Sequence, residues 1–133
     1  MRLTDTNLPQ IKVADIQAVV AARYGLSVEQ LTGPRRLRRM ARPRQIAVYF
    51  ARTMTHHSLP AIGRMFGGRD HTTILFSCRR TKERMDAHPI MELEILHIER
   101  KLIERAEGRL AANTVVRMAL LAPQAFARIE AGV

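Results

Sequence analysis

The sequence predicts an all-α protein: a helix-turn-helix domain followed by a helical C-terminal extension. Three observations predict it. A short helical pattern, a double-glycine turn and a longer capped helical pattern follow one another between Ser58 and Met85. Apolar residues before and after this unit recur at helical spacing. Apolar residues make up 47% of the chain but aromatics only 5%, with no Trp, which suits a small helical core of Leu, Ile, Val, Met and Ala. The 133 residues are enough for one domain and an appendage.

Residues 1–10 contain Asn7 and Pro9 without any periodicity and read as a loose arm. The domain is expected over residues 11–88 and the extension over 89–133. Ile16, Val19, Val20 and Tyr24 form one stripe of a helix from Ala14 to Tyr24, which Gly25 stops. Ser27 and Gln30 fit a capping box that opens a short helix over Val28–Thr32. Gly33 and Pro34 break it. The run PRRLRRMARPRQ, Pro34 to Gln45, holds six arginines in twelve residues. Its first half has no apolar stripe and reads as a basic loop. Pro43 fits the first turn of the next helix, where its missing N–H is harmless. Ile46, Ala47, Phe50 and Met54 carry that helix to about Thr55.

Ser58 is an N-cap with Pro60 in the first turn, and Leu59, Ile62 and Phe66 point inward. Gly67, Gly68 and Arg69 turn the chain. Asp70 then caps a helix whose inward face is Ile74, Cys78, Thr81 and Met85, and His88-Pro89 ends it. In the extension Met91, Ile95, Ile98 and Leu102 form a seam with charged flanks. Gly108 and Asn113-Thr114 predict a break, Val115–Leu121 a second, weaker helix, and Pro123 an interruption before a last short turn.

Charge placement narrows the function. The formal net charge is +10, yet residues 33–84 alone carry 13 Arg and Lys against Asp70 and Glu83. A merely solvated surface would mix signs, as the last third of the chain does. So concentrated a basic segment predicts a polyanionic partner, nucleic acid above all.

The groove chemistry sits in GGRDHTTILFSCRR, Gly67 to Arg80. The second helix of a helix-turn-helix puts its N-terminal residues at base edges in the major groove. Its first turn must therefore carry polar and methyl groups instead of core residues. Asp70 can cap the N–H of Thr72 or Thr73 and can also accept from a cytosine or adenine amino group. Thr72 and Thr73 offer hydroxyls and methyls, His71 an edge for a base or a thymine methyl. The positive helix end favours a nearby phosphate.

These residues resemble a known family. SLPAIGRMFGGRDHTTILFSCRR is similar to the C-terminal DNA-binding domain of DnaA, the bacterial chromosomal replication initiator, whose signature is GGRDHTT. ARPRQIA with its preceding arginines resembles that family's basic loop and following helix, and DIQAVVAARYGLSVEQL its opening helices. The resemblance covers about residues 11–86. It implies monomeric reading of a short asymmetric duplex box. Asp70, His71, Thr72 and Thr73 would be the major-groove readers, with Arg69 beside them, and Arg36 would enter the adjacent minor groove. Arg44, Gln45, Arg52, Leu59 and Pro60 would contact the backbone. The chain departs from the pattern at Pro34, where the family has a basic residue, at Leu37, Arg39 and Met40, and at Phe76, which replaces a polar residue.

No G-x-x-x-x-G-K phosphate loop is present, so ATPase activity is not expected, and no nucleophile–base pair suggests another enzyme. No cofactor is expected. His56 and His57 are adjacent and diverge by about 100° on a helix, so no metal site is expected of them. The lone Cys78 reads as a buried, inert thiol. No apolar run is long enough for a bilayer, Met1 is not followed by a signal-peptide pattern, and a cytoplasmic, nucleoid-associated setting is expected. The seam from Met91 to Leu102 leaves two readings open: packing on the domain, or self-association and partner binding through residues 90–105. A rival function follows from the second, a protein-interaction regulator of the replication-initiation machinery in which DNA contact is secondary.

Overall fold

The computed structural model describes residues 10–34 and 38–121. Six helices follow one another: α1 (Val13–Arg23), α2 (Val28–Thr32), α3 (Arg38–Met54), α4 (Leu59–Met65), α5 (His71–Ala87) and α6 (Pro89–Leu121), with no strand among the described residues. The chain is all-α, as its periodicity predicts. The expected arm apart from Gln10, residues 35–37 with Arg36, and the turn expected after Pro123 lie outside the described residues.

Local chemistry sets most helix ends. The Lys12 N–H donates to the Asp15 carboxylate at 2.9 Å, opening α1. Gly25 closes it at φ 67°, a left-handed conformation that glycine adopts without strain. From there the Gly25 N–H reaches the Ala22 carbonyl and the Leu26 N–H the Ala21 carbonyl, a Schellman closure. Ser27 and Gln30 form the expected reciprocal box at 3.0 and 2.9 Å. Ser58 Oγ accepts from the Ala61 N–H at 3.2 Å and caps α4.

Two helices run further than local signals suggest. α3 starts at Arg38, so Pro43 lies inside it and not in its first turn. The missing N–H of Pro43 forfeits one bond, to the carbonyl four residues back. Burial of Met40 at 1% exposure outweighs this, because only a helical turn brings Met40 onto the same side as Arg44 and Ala47. α6 likewise passes through Gly108, Asn113 and Thr114 without a break. A single helix glycine costs only about 1 kcal/mol, and good helix formers from Arg105 to Ala112 bridge it. The Thr114 hydroxyl donates back to the Leu110 carbonyl at 2.9 Å, which satisfies it within the helix.

One compact unit spans Ile11–Leu102. α3 lies at its centre and packs against α1, α2, α4 and, most extensively, α5. Ile16, Val20, Leu31, Ile46, Phe50, Ile62, Phe66 and Ile74 build the core, and Met91, Ile95, Ile98 and Leu102 of α6 join the same cluster. The seam is therefore an intramolecular one. The boundary expected at residue 88 falls between α5 and α6, but compact packing continues to Leu102. Arg23 pairs with Glu94 at 3.5 Å, joining α1 to α6. Burial, with the Glu94 charge beside it, raises the Tyr24 hydroxyl pKa above its ordinary value.

The second unit comprises residues 1–10 and Ile103–Val133, of which Gln10 and α6 from Ile103 are described. Within it Ala106 is buried and the Arg109 guanidinium donates to the Gln10 carbonyl. No helix among the described residues is long and apolar enough to cross a membrane.

Ile98 is fully buried, so Ile98→Ala is expected to lower unfolding free energy by about 2–5 kcal/mol while solution mass stays unchanged. Urea unfolding followed by circular dichroism checks this. An unchanged midpoint would remove Ile98 from the core.

Candidate nucleic-acid interface

The helix-turn-helix consists of α4, the turn at Phe66–Arg69, and α5. Gly67 at φ 83° and Gly68 at φ 75° carry the reversal, a conformation that side chains with a Cβ disfavour. Gly63, inside α4, is needed for a different reason. A Cβ there would stand 2.0 Å from the Arg69 carbonyl oxygen. That close approach lets the Arg69 N–H reach the Gly63 carbonyl at 2.9 Å and seat the turn on α4. No short-range sequence signal marked Gly63, because the neighbour that excludes a side chain comes from the far side of the turn.

Asp70 then caps α5, its Oδ2 accepting from the Thr72 N–H at 3.1 Å and from the Thr72 hydroxyl. These bonds, the side-chain one first, hold the Asp70 carboxyl below its usual pKa. His71 Nδ1 lies 3.4 Å from Asp70 Oδ1. Asp70, His71, Thr72 and Thr73 are all exposed, while Ile74, Ser77, Cys78 and Thr81 are buried on the opposite side of α5. The first turn is thus held by core residues behind it and presents only polar groups and methyls. The Cys78 thiol lies 3.9 Å from the Val48 carbonyl oxygen, and burial raises its pKa, consistent with an inert thiol.

The other residues singled out from sequence divide into two groups. Arg52 and Pro60 are exposed and Leu59 is half-buried. Arg44, by contrast, is 8% exposed. Its Nε donates to the Leu31 carbonyl at 2.6 Å, and its Nη2 to the Gln30 and Gly33 carbonyls at 3.1 and 3.2 Å. Burial, and then the nearby Arg69 charge, lower its pKa from the ordinary arginine value. Arg69 grips the same helix end: Nη1 donates to the Thr32 carbonyl at 3.1 Å and to the Phe66 carbonyl, and Nη2 to the Gly33 carbonyl at 2.7 Å. Gln45 is half-buried and its Oε1 accepts from Arg84 Nη1 at 2.6 Å, which ties α3 to α5.

Sequence reasoning passed over three residues here. Arg84 is the tether of Gln45; burial and the neighbouring Arg42 and Arg80 lower its pKa. Arg79 and Arg80 extend the exposed face of α5 beyond its first turn. Their 3.6-residue relation to Thr72 was the available signal. Among the described residues no group of three or more His, Cys, Asp or Glu could hold a metal ion.

Comparison with known proteins gives a consistent account. Residues 13–81 match the family described as bacterial dnaA protein helix-turn-helix. The chromosomal replication initiator protein DnaA of Rhodopseudomonas palustris is 44% identical over 95 residues, 71% of this chain and 20% of that protein. The DnaA of Rhizobium meliloti is 43% identical over 95 residues with the same coverage. That of Cereibacter sphaeroides is 45% identical over 89 residues, 65% of this chain and 20% of its own length. The chain thus spans about a fifth of the length of these relatives.

Removal of Arg44 and removal of Arg52 are expected to separate. Arg44→Ala strips the α2 carbonyls of donors and is expected to lower stability by about 1–3 kcal/mol, whereas Arg52→Ala should stay within about 0.5 kcal/mol of the parent. Thermal unfolding of both variants checks this, and equal melting temperatures would dismiss the structural role of Arg44.

Proposed function

The chain belongs to the bacterial DnaA helix-turn-helix family, and from that premise we propose that it binds double-stranded DNA sequence-specifically at DnaA-box-like sites. By this reading it regulates initiation of chromosomal replication, or transcription nearby, without ATPase activity of its own. The observation that carries the reading is the first turn of α5: Asp70, His71, Thr72 and Thr73 exposed together on a helix whose other side is locked into the core.

In this arrangement His71, Thr72 and Thr73 read base edges and thymine methyls in the major groove. Asp70 has a carboxylate oxygen on the cap and a second one, Oδ1, toward His71. Arg52 and Pro60, with Leu59 behind them, meet the phosphate backbone, and Arg36 enters the minor groove. Arg44, Gln45 and Arg69 act behind this surface as positioning groups, because their hydrogen bonds go to α2, to Gly33 just beyond it and to α5. The setting is the cytoplasm, at the nucleoid.

A second reading keeps a specific observation in its favour. Ile90, Leu93 and Leu96 are 81%, 65% and 53% exposed on α6, away from the buried seam. Such a row suits self-association or a replication-initiation protein, with DNA binding secondary. Competition between selected and scrambled duplexes separates the readings, since only the first requires preference for one sequence.

Two outcomes are expected. Neutralising about six to eight phosphates should give log K against log salt a slope of roughly −5 to −7; titration at several salt concentrations measures it, and a flat response would reject the basic footprint. His71→Ala and Thr72→Ala should leave the melting temperature nearly unchanged yet weaken binding to the selected box by about 1–3 kcal/mol, with little effect on random duplex. Undiminished affinity in both variants would sink the major-groove assignment.

A further inference from the structure

Phe76 is 59% exposed, on the same helix as the capped turn. The other described aromatics, Tyr24, Tyr49, Phe50 and Phe66, are buried or half-buried. An isolated apolar side chain on a surface is ordinary in itself. Its neighbours make this one informative. With 3.6 residues per turn, Thr72, Leu75, Phe76 and Arg79 share one side of α5. Ile74, Ser77, Cys78 and Thr81 occupy the other side and are buried. Offsets of three, four and seven from the first contact are those by which a groove-reading helix reaches successive bases.

The charge around Phe76 points to a polyanion. Arg79 and Arg80, at i+3 and i+4, are exposed beside it, and Lys82 is exposed further along α5. Glu83 lies 3.6 Å from Arg80 and Asp86 3.5 Å from Lys82, and with Arg79 and Arg84 this stretch still carries four cations against two carboxylates. A ring framed by cations suits a surface that offers phosphates at its rims and an apolar group on its floor. The duplex major groove does so wherever a pyrimidine carries a C5-methyl. A phenyl ring has no donor or acceptor for the polar base edges, so the methyl is the feature it can reward.

Resting on the proposed DNA binding, we infer that Phe76 is a specificity-determining residue that selects a pyrimidine C5-methyl group, of thymine or of 5-methylcytosine, beyond the bases read by Asp70–Thr73. Thr72 and Phe76 are four residues apart, about 6 Å along the helix. That is nearly two base-pair steps of about 3.4 Å. The methyl therefore belongs to a different base pair from those that the first turn reads.

The test begins with duplexes selected by the full chain from a random pool. Each thymine of the selected box is replaced singly by uracil, which removes the methyl and nothing else. Binding of the parent, Phe76→Ala and Phe76→Leu is measured on each duplex. At one position the parent is expected to lose about fourfold in affinity, the worth of one buried methyl group. Phe76→Ala should bind thymine and uracil equally there, and Phe76→Leu should keep part of the difference. The bases preferred opposite the first turn should stay the same in all three. At that position 5-methylcytosine against cytosine distinguishes the sources: a gain with 5-methylcytosine extends recognition to methylated DNA, and no gain confines it to thymine.

Two results would overturn the inference. One is a parent that binds every uracil duplex as tightly as thymine. The other is a Phe76→Ala protein that keeps the parent's thymine preference. Both leave sequence-selective binding standing, whereas a parent that enriches no sequence from the pool brings down the proposed function and this inference together.

Discussion

Two arginines hold one helix end, and the rest of the domain is arranged about that grip. The last carbonyls of a helix have no partners within it. In α2 those of Gln30, Leu31 and Thr32, with that of Gly33 just beyond, are taken by Arg44 and Arg69. Arg44 comes from the central helix and Arg69 from the turn before α5, so three parts of the chain meet at one short helix. The Gly67 Cα sits so close that a Cβ would lie 2.2 Å from the Thr32 carbonyl oxygen. Burial, and then the like charge of Arg69 beside it, disfavour the Arg44 cation and lower its pKa. Unpaired carbonyls in the same place would be costlier still. A basic segment therefore serves two ends, with some of its cations spent inside the fold and others left facing solvent.

This division bears on how the candidate site is held. The first turn of α5 needs a defined orientation if Thr72, His71 and their neighbours are to meet base edges, because a misplaced hydrogen bond is worth little. Three constraints supply it. The turn is seated on α4 through Gly63, clamped to α2 through Arg69, and the helix is pinned to α3 by the Cys78–Val48 contact and the Arg84–Gln45 bond. None of these uses an exposed atom of the first turn apart from the Asp70 cap. Apart from Asp70 and the Thr72 hydroxyl that donates to it, the groups offered to solvent thus remain available over a backbone held to three other helices.

α6 shows the same economy at the other end of the compact unit. Its inward seam completes the core, so the extension is not an appendage up to Leu102. Its outward residues Ile90, Leu93 and Leu96 contribute nothing to that core. A helix apolar on two sides has a low amphipathic signal, and this is why the seam could be read as facing either the domain or a second molecule.

Local and periodic information sufficed for much of this protein. The caps at Ser27, Ser58 and Asp70, the stops at Gly25 and Gly67–Gly68, and the inward residues of α1, α3, α4 and α5 all depend on groups within a few positions of one another, which a sequence displays directly. The polar first turn of α5 was legible for the same reason. What only the tertiary structure decided involves partners distant in sequence. The resemblance implies Arg44 and Gln45 as DNA-backbone contacts and Arg69 beside the groove readers; in the fold Arg44 and Arg69 also donate to carbonyls of α2 and Gly33 that lie 11 to 37 residues away, and Gln45 accepts from Arg84, 39 residues away. Pro43 falls within α3 because Met40 is buried. The break expected at Gly108 is absent because isolated glycine costs a helix too little to stop it. Met91, Ile95, Ile98 and Leu102 could form a seam from their spacing alone, but spacing cannot name the surface opposite. Periodicity specifies a face, and only packing specifies what that face meets.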